Sequence, residues 1–202
     1  MNYLALILSY LLGSINFAYI TARIKGIDIS SEGSGNPGTS NVLRTLGKGS
    51  AAIVLLGDLF KGAIPIIFFY QDQYFLFYGL AAVVGHIYPV FYKFKGGKGV
   101  ATYLGVYIAT VLMNPYNSDL FNIEIFQILN IPVLSFFYFV VFKTTRVSAI
   151  ASLSTVLITV SLLIYTNDEI SNILVLVVIF FLILLKHSEN IKRLREGKEN
   201  KF

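Results

Sequence analysis

Long apolar runs separated by short polar connections dominate the chain. Seven runs stand out, with approximate bounds 3–22, 50–70, 74–92, 99–115, 125–142, 147–166 and 170–186. A helix needs roughly 20 apolar residues to cross a bilayer, and the fourth and seventh runs are the shortest. Because backbone polar groups inside lipid must be bonded within their own segment, these runs predict transmembrane helices. We therefore expect an all-α integral membrane protein, a bundle of seven transmembrane helices.

The composition agrees with this class. Of the 202 residues, 55% are apolar and only 13% are charged, whereas soluble domains carry about 25% charged residues. The length suits one compact bundle, so we expect a single transmembrane domain over residues 1–202. The first run lacks a basic flank and a small-residue cleavage site, which indicates a retained span rather than a signal peptide.

The rarer residue types restrict the chemistry. The sequence has no cysteine and two histidines, which excludes disulfides, thiolate metal sites and a cysteine nucleophile. Its acids are not clustered in the way that a tightly held metal requires. We therefore expect no metal, no cofactor and no nucleic-acid partner.

The distribution of positive charge predicts the orientation. All but one of the 16 lysines and arginines lie after the first, third, fifth or seventh run, and the remaining one is Lys61. The opposite connections, 71–73, 116–124 and 167–169, carry acids and neither lysine nor arginine. By the positive-inside rule the N-terminus is outside and the C-terminus is cytoplasmic, which requires an odd number of spans.

Three polar, glycine-rich or basic stretches fall on the predicted cytoplasmic side, at 30–50, 85–102 and 186–199. The first contains GSGNPG, which matches the G-x-G-x-x-G spacing of dinucleotide-binding turns. That motif must follow a strand and open a helix in a βαβ unit, and here a predicted membrane span precedes it. The glycines therefore need another explanation.

An anion site is the interpretation that we favour for this first stretch. Glycine accepts positive φ, so backbone amides can turn toward one point, and amides beside a cation form a phosphate-binding nest. Thr39 or Ser40 can cap a short helix that carries an arginine, and helix N-termini favour anions. The alternative is a flexible solvated loop, which would not need Asn-Pro or the following arginine. The candidate phosphate ligands are Ser34, Asn36, Gly38, Thr39, Asn41 and Arg44.

The second stretch repeats this chemistry. Three glycines surround Lys98, and Thr102 follows one helical turn later. Lysine is a point charge suited to phosphate, but a glycine follows it, so this is not a Walker A loop. A positive-inside anchor is the alternative, and it does not account for the glycines. The candidate ligands here are Gly97, Lys98 and Thr102.

The third stretch has helical spacing, which places His187 and Asn190 on one face. Its basic residues lie mostly elsewhere and suit anionic lipid headgroups. We interpret His187 and Asn190 as candidate catalytic residues, with a structural histidine as the alternative. Arg146 and Ser148 add a cation and a hydroxyl on the same predicted side.

Two charged residues lie inside the second apolar run. Asp58 and Lys61 are three positions apart and can pair. Intramembrane charges are functional candidates by default, and a neutralising structural pair is the equal alternative. His86, in the third run, is expected to pack.

In their order along the chain, "GSGNPGTSN", "GHIYPVFYKFKGGKGVAT" and "HSENIKRLREGKE" resemble the three cytoplasmic motifs of the bacterial acyl-phosphate-dependent glycerol-3-phosphate acyltransferases. "GSINFAYI" and "DLFKG" are also similar to that family, so the resemblance covers nearly the whole chain. The sequence departs from the pattern at a few positions. Asn16 and Ala18 replace proline and glycine, "GTSN" replaces "GATN", and Ser188 replaces a basic residue.

The resemblance implies transfer of the acyl group of a fatty acyl phosphate to the 1-hydroxyl of glycerol 3-phosphate, giving lysophosphatidate and phosphate. The implied partners are these two substrates and membrane lipid, and the implied location is the bacterial inner membrane with a cytoplasmic active site. We expect the ligands of the first stretch to hold one phosphate with Lys98. Arg44, Arg146 and Ser148 are expected to hold the other. The expected catalytic residues are Ser34, Lys98, His187 and Asn190, with His187 or the substrate phosphate as the proton acceptor.

Other classes of protein make different demands. A transporter of a phosphorylated metabolite would place polar groups deep in several spans, whereas here the motifs lie at one face. An assembly protein that binds anionic lipid would leave both glycine loops unused. A metal-dependent lipid phosphotransferase would need clustered aspartates.

Overall fold

The computed structural model describes residues 1–113, 123–167 and 169–202, and the side chains of these residues except 123–128. The end of the fourth apolar run, most of the connection 116–124 and residue 168 lie outside the described residues. The α-helices are α1 (Tyr3–Gly13), α2 (Phe17–Ile24), α3 (Thr39–Phe69), α4 (Phe75–Ile87), α5 (Val100–Met113), α6 (Ile123–Thr145), α7 (Ser148–Tyr165), α8 (Ile170–Lys186) and α9 (Ser188–Arg195), with a 3₁₀ turn at Val90–Tyr92.

The predicted all-helical membrane class is confirmed. In the described part of the chain, four segments are long and apolar enough to cross a membrane: Tyr3–Ile24, Thr39–Phe69, Phe75–Tyr92 and Ser148–Tyr165. The pair α8 and α9, bent by 52°, is a fifth candidate. Val100–Met113 and Leu129–Thr145 are apolar but shorter. Seven spans and their orientation therefore stay predictions.

The first span is broken, although the sequence predicts one continuous run. Asn16 has extended backbone angles (φ −103°, ψ 103°), and its side chain accepts a hydrogen bond from the Tyr19 amide at 3.1 Å. Asparagine is a strong N-cap, so it ends α1 and starts α2. Asn16 thus has a structural task of its own at a position where the family pattern has proline.

The second span begins well before the predicted residue 50. Helix α3 already starts at Thr39. The sequence prediction misses its first turns because they are polar, and hydropathy detects only the apolar part of a helix. Gly47 interrupts this helix at φ 79° and ψ 178°. Gly38 occupies the N-cap position and no side chain caps the helix, so the expectation that Thr39 or Ser40 is the cap is wrong.

The described residues form two compact units, Met1–Ala109 and Thr110–Phe202. In the first unit, glycines let helix backbones touch. A Cβ at Gly13 of α1 would overlap the Ala82 carbonyl oxygen of α4, and a Cβ at Gly62 of α3 would overlap the Thr102 carbonyl oxygen of α5. Close approach over small residues is the usual packing mode of membrane helices.

The second unit comprises α6 to α9 and the C-terminal tail. Helices α6 and α7 pack together, as do α7 and α8. The tail returns to the turn between α6 and α7, where the Phe202 amide donates to the Arg146 carbonyl oxygen at 3.0 Å. The Phe202 ring lies 5.2 Å from the ring of Phe142. The turn that carries Arg146 and the end of the tail are therefore neighbours within this unit.

Candidate functional site

Asn41 organises the first glycine loop, residues 33–38. Its side-chain oxygen accepts from the Ser34 amide at 2.8 Å, and its nitrogen donates to the Glu32 carbonyl oxygen at 2.9 Å. Gly33 and Gly35 adopt left-handed angles, with φ 57° and 68°, which glycine accepts at no steric cost. Asn41 is 1% exposed, so it stabilises the loop from beneath, and its predicted phosphate contact stays a prediction.

The backbone amides of this loop differ from the expected nest. The Gly35 amide donates to the Glu32 carbonyl oxygen and the Gly38 amide to the Asn36 carbonyl oxygen. These amides are engaged within the loop because local carbonyl groups and Asn41 supply acceptors. The side chain of Ser34 is exposed and that of Asn36 is half-buried, so polar side chains dominate the surface of the loop.

The N-terminus of α3 follows the loop directly. The first amides of a helix lack intrahelical acceptors and favour an anion. The Thr39 hydroxyl at this end is buried and has no hydrogen-bond partner among the described residues. Arg44 lies in the second turn of the helix and is exposed. This end of α3 therefore combines a helix N-terminus, an unsatisfied hydroxyl and a cation.

The second glycine loop, residues 96–99, lies against the end of α4. The Gly97 amide donates to the His86 carbonyl oxygen at 3.1 Å. A Cβ at Gly97 would overlap Nε2 of His86 and lie 3.0 Å from the Pro37 carbonyl oxygen. Gly99 has φ 87° and turns the chain into α5. Only glycine allows this close approach, so the glycines of this loop have a steric cause.

The two glycine loops are neighbours in the first unit, since Gly97 lies beside Pro37. Lys98 is half-buried on the second loop. Thr102, in the first turn of α5, is fully buried, and its hydroxyl has no hydrogen-bond partner within the described chain. The structure thus places Gly97 of the second loop beside Pro37 of the first, and the first unit contains all the candidate ligands of the first two stretches, which are Ser34, Asn36, Gly38, Thr39, Asn41, Arg44, Gly97, Lys98 and Thr102.

The predicted pair inside the second span is confirmed. Lys61 Nζ lies 2.8 Å from Asp58 Oδ1, and both residues are 1% exposed. His86 is buried, as expected, and its Nδ1 lies 3.5 Å from the same carboxylate oxygen. The sequence predicts only packing for His86, because a lone histidine in an apolar run gives no sign of its partner.

His187 lies at the bend between α8 and α9 and is 3% exposed. Its Nδ1 is 2.8 Å from the Ile183 carbonyl oxygen. A carbonyl oxygen only accepts, so Nδ1 carries the proton of this hydrogen bond and Nε2 is the basic nitrogen of the neutral ring. The bond therefore orients the imidazole in the way that a general base requires.

Asn190 lies one turn beyond His187 and is also buried. Its amide nitrogen donates to Glu199 Oε1 at 2.7 Å, and the other oxygen of Glu199 accepts from Arg193 Nε at 2.8 Å. Sequence reasoning missed Glu199 because it lies beyond α9 and shares no helical periodicity with Asn190.

Arg146 and Ser148 also belong to the second unit. Arg146 is exposed and has φ 56° in the turn between α6 and α7, a conformation that is uncommon outside glycine. Ser148 is the first residue of α7. The second unit thus contains these two residues together with His187 and Asn190.

The family model for glycerol-3-phosphate acyltransferase matches residues 3–197. A glycerol-3-phosphate acyltransferase of Wolbachia pipientis wMel is 42% identical over 206 residues, which cover 100% of this chain and 98% of that protein. One of Aquifex aeolicus (strain VF5) is 38% identical over 202 residues, covering 97% of this chain and 96% of that protein.

Two solved structures are also similar. Both are crystal structures of PlsY (YgiH), an integral membrane glycerol 3-phosphate acyltransferase, and both are 35% identical to this chain. The glycerol 3-phosphate form has a TM-score of 0.84 and the lysophosphatidic acid form 0.78. Each similarity covers 99% of this chain and 94% of the other.

Proposed function

Because this chain belongs to the glycerol-3-phosphate acyltransferase family, we propose that it transfers an acyl group from a fatty acyl phosphate to the 1-hydroxyl of glycerol 3-phosphate. The products are 1-acylglycerol 3-phosphate, or lysophosphatidate, and inorganic phosphate. This is the first acylation of phospholipid synthesis. The observation that carries the proposal is the contact between two glycine loops, 33–38 and 96–99, in a region that also bears Lys98 and Arg44.

Both substrates carry a phosphate, which accounts for two cation-bearing glycine loops. Ser34, Asn36 and Lys98 are proposed to hold one phosphate together with Thr39 and Thr102. Gly38, Asn41 and Gly97, whose donor groups are engaged within the protein, are proposed to shape the loops around it. Arg44, with Arg146 and Ser148, is proposed to hold the other. The buried hydroxyls of Thr39 and Thr102 support a polar ligand at this place, because an unsatisfied buried polar atom is costly.

The proposed chemistry is a direct acyl transfer. The glycerol oxygen attacks the acyl carbon, a new ester bond forms, and the bond from that carbon to the phosphate oxygen breaks. An acyl phosphate is already activated, so the protein supplies positioning and charge stabilisation. Asn190 and His187 orient the hydroxyl or the departing phosphate. The proton goes to Nε2 of His187 or to the substrate phosphate.

The proposed topology has seven transmembrane helices, with the N-terminus outside and the C-terminus in the cytoplasm. Lysines and arginines on one side of the membrane support it by the positive-inside rule. The membrane is the bacterial inner membrane, and residues 1–202 act as one domain whose motif stretches 30–50, 85–102 and 186–199 face the cytoplasm. Glycerol 3-phosphate is a water-soluble metabolic substrate, which requires a cytoplasmic mouth. The family match favours this enzyme over the alternative of a phosphorylated-metabolite transporter.

The test of the reaction uses purified protein in detergent or lipid. Palmitoyl phosphate and labelled glycerol 3-phosphate, without added metal, are expected to give labelled lysophosphatidate and free phosphate. A parallel reaction receives palmitoyl-CoA instead. Product from palmitoyl-CoA alone would contradict the proposed donor, and absence of product from both donors would contradict the acyltransferase.

The test of the phosphate ligands uses Lys98→Ala and Arg44→Ala. Each removes a charge-assisted contact to a phosphate, and contacts of this type contribute roughly 1.5–3 kcal/mol or more. We expect turnover to be abolished in protein that still inserts and folds, as judged by thermal unfolding. Lys201→Ala, at an exposed lysine of the tail, is the matched control. Near-normal rates in either variant would refute the assignment of that residue.

A further inference from the structure

A buried cluster of three ionisable side chains in the first unit has no task in the proposed reaction. It consists of Asp58 and Lys61 on α3 and His86 on α4, and all three are buried. Lys61 Nζ lies 2.8 Å from Asp58 Oδ1, and His86 Nδ1 lies 3.5 Å from that oxygen. Charges at membrane depth are expensive and are kept where they serve a purpose. We call these residues the anchoring cluster.

One end of the anchoring cluster is bonded to the break between α1 and α2. In a continuous helix the Tyr19 amide would donate to the Ile15 carbonyl oxygen. Here that amide donates to Asn16 instead, and Lys61 Nζ donates to the Ile15 oxygen at 2.6 Å. Lys61 therefore satisfies the carbonyl group that the break releases, in a segment where lipid offers no hydrogen bond.

The other end of the cluster contacts the second glycine loop, which in turn lies beside the first. The His86 carbonyl oxygen accepts from the Gly97 amide, and its Nε2 lies where a Cβ of Gly97 would be. The Pro37 carbonyl oxygen, beside Gly97, lies 3.5 Å from the side-chain nitrogen of Asn16. A chain of contacts thus runs from the helix break through the cluster to Gly97 and returns through Pro37 to Asn16.

We infer that Asp58, Lys61 and His86 are positioning residues for substrate binding: they hold the loops 33–38 and 96–99 together so that Lys98 meets a substrate phosphate. A pair kept only for charge neutrality would need no third group against the loop. A buried ion pair is also weak evidence for stability, since apolar replacements of similar volume often stabilise as well. The inference rests on the proposed function, because it concerns the phosphate that Lys98 is proposed to hold.

The first experiment compares Asp58→Asn and His86→Ala with Leu76→Ala. Leu76 is fully buried at the other end of α4, so its truncation reports the loss of packing alone. For both cluster variants we expect the KM of one of the two substrates to rise by about tenfold or more, which corresponds to about 1.4 kcal/mol of binding. For Leu76→Ala we expect a lower melting temperature with both KM values unchanged.

The second experiment is a neutral replacement of the pair. Asp58→Asn alone leaves a buried lysine without its carboxylate, which destabilises the protein. The double variant Asp58→Asn/Lys61→Met removes both charges and is expected to recover only part of the melting temperature that Asp58→Asn loses, because the Ile15 carbonyl oxygen still lacks its donor. Its KM is expected to stay raised, because neither the carboxylate beside His86 nor the donor to Ile15 is restored.

The third experiment is a double-mutant cycle between His86 and Gly97. Gly97→Ala is expected to impair binding, because its Cβ would overlap the imidazole. In the His86→Ala background that overlap is gone, so the effect of Gly97→Ala is expected to be smaller. Such non-additivity is the signature of residues in contact. Additive effects would overturn the role of His86.

One result would overturn the inference. In it, Asp58→Asn and His86→Ala lower the melting temperature as Leu76→Ala does, while KM and kcat per folded protein stay at wild-type values. Failure of the proposed function is a separate result, since wild-type protein would then form no product. In that case the rise in melting temperature with added glycerol 3-phosphate still reports binding. A rise in the wild type that the cluster variants lose supports the inference, and no rise in the wild type overturns it.

Discussion

At the residue scale, Glu199 determines where Asn190 points. One carboxylate oxygen accepts from Asn190 and the other from Arg193, so the tail beyond α9 clamps one face of that helix. Hydrogen bonds to a charged group contribute about 1.5–3 kcal/mol. The last residue of the third stretch, which lies beyond α9, thereby orients a proposed catalytic amide.

Glu199→Gln tests this clamp. The new amide would bring N–H groups toward Asn190 or Arg193, where acceptors are needed, so Asn190 would lose its orientation. We expect kcat to fall by about tenfold to a hundredfold, which matches the energy of one such bond. Steady-state rates with both substrates measure it. Glu196→Gln, at an exposed acid of the same segment, is the control and is expected to leave kcat unchanged.

Asp72, in the connection between α3 and α4, is another residue with a clear structural task. The Tyr78 hydroxyl donates to Asp72 Oδ2 at 2.5 Å and the Tyr74 amide to Oδ1 at 2.9 Å. The hydrogen bond from Tyr78 and then that from Tyr74 lower the pKa of Asp72 below its usual 3.8. A carboxylate with a lowered pKa stabilises the folded state above its unfolded pKa and loses that contribution as pH falls through the folded value.

Asp72→Asn is therefore expected to lower the melting temperature at pH 7. The difference from wild type is expected to shrink as the pH falls from about 4 through the lowered pKa of the folded-state carboxyl, which then binds its proton. Thermal unfolding in detergent at several pH values measures both effects. Glu32→Gln, at an exposed acid, serves as the reference. A difference that is independent of pH would show that the charge of Asp72 is not the cause.

At the scale of elements, the packing of α3 on α5 depends on backbone contact. Gly62 of α3 lies against the Thr102 carbonyl group, and Gly105 of α5 lies against that of Leu59. Rigid carbonyl groups cannot move aside as the end of a flexible side chain can.

Gly62→Ala is expected to destabilise the protein by about 1–3 kcal/mol, because an added methyl group overpacks the helix interface. Thermal unfolding in detergent measures the loss. Gly49→Ala in the same helix is the matched control, since no atom lies within 4 Å of its Cβ position. There we expect no loss, or a gain of up to about 1 kcal/mol from the better helix propensity of alanine. Equal losses in both variants would contradict the packing argument.

At the scale of the whole molecule, topology decides which motifs share a side of the membrane. The natural absence of cysteine allows single-cysteine variants to report this without any background. For the proposed seven spans, Gln73→Cys and Glu169→Cys lie outside, whereas Lys95→Cys and Lys143→Cys lie in the cytoplasm.

A membrane-impermeant maleimide is therefore expected to label the first two variants in intact cells. The other two are expected to react only after the membrane is permeabilised. Labelling of Lys95→Cys in intact cells would show that the orientation is the opposite of the proposed one. Labelling of Glu169→Cys only after permeabilisation would instead contradict the number of spans.

The sequence by itself determined the membrane class, the helical architecture and the family. The class and the architecture can be predicted because a span in lipid must satisfy its own backbone hydrogen bonds and remain apolar over its length. Local chemistry could also be predicted from the sequence: the spacing of Asp58 and Lys61 predicts their pair. A pair of this kind forms between residues that are close in the sequence, so their spacing alone is enough to predict it.

Only the tertiary structure decided which residues meet across the chain. Helix bounds shifted where an asparagine or a polar first turn outweighed hydropathy, as at Asn16 and Thr39. The neighbours of His86 and the partner of Asn190 come from other segments, and no periodicity links them. Contacts of that kind depend on how closely segments approach each other, which is set in three dimensions by backbone contact at Gly62 and by the His86 side chain at Gly97. For this physical reason the sequence pointed to candidate groups, and the fold showed what holds them.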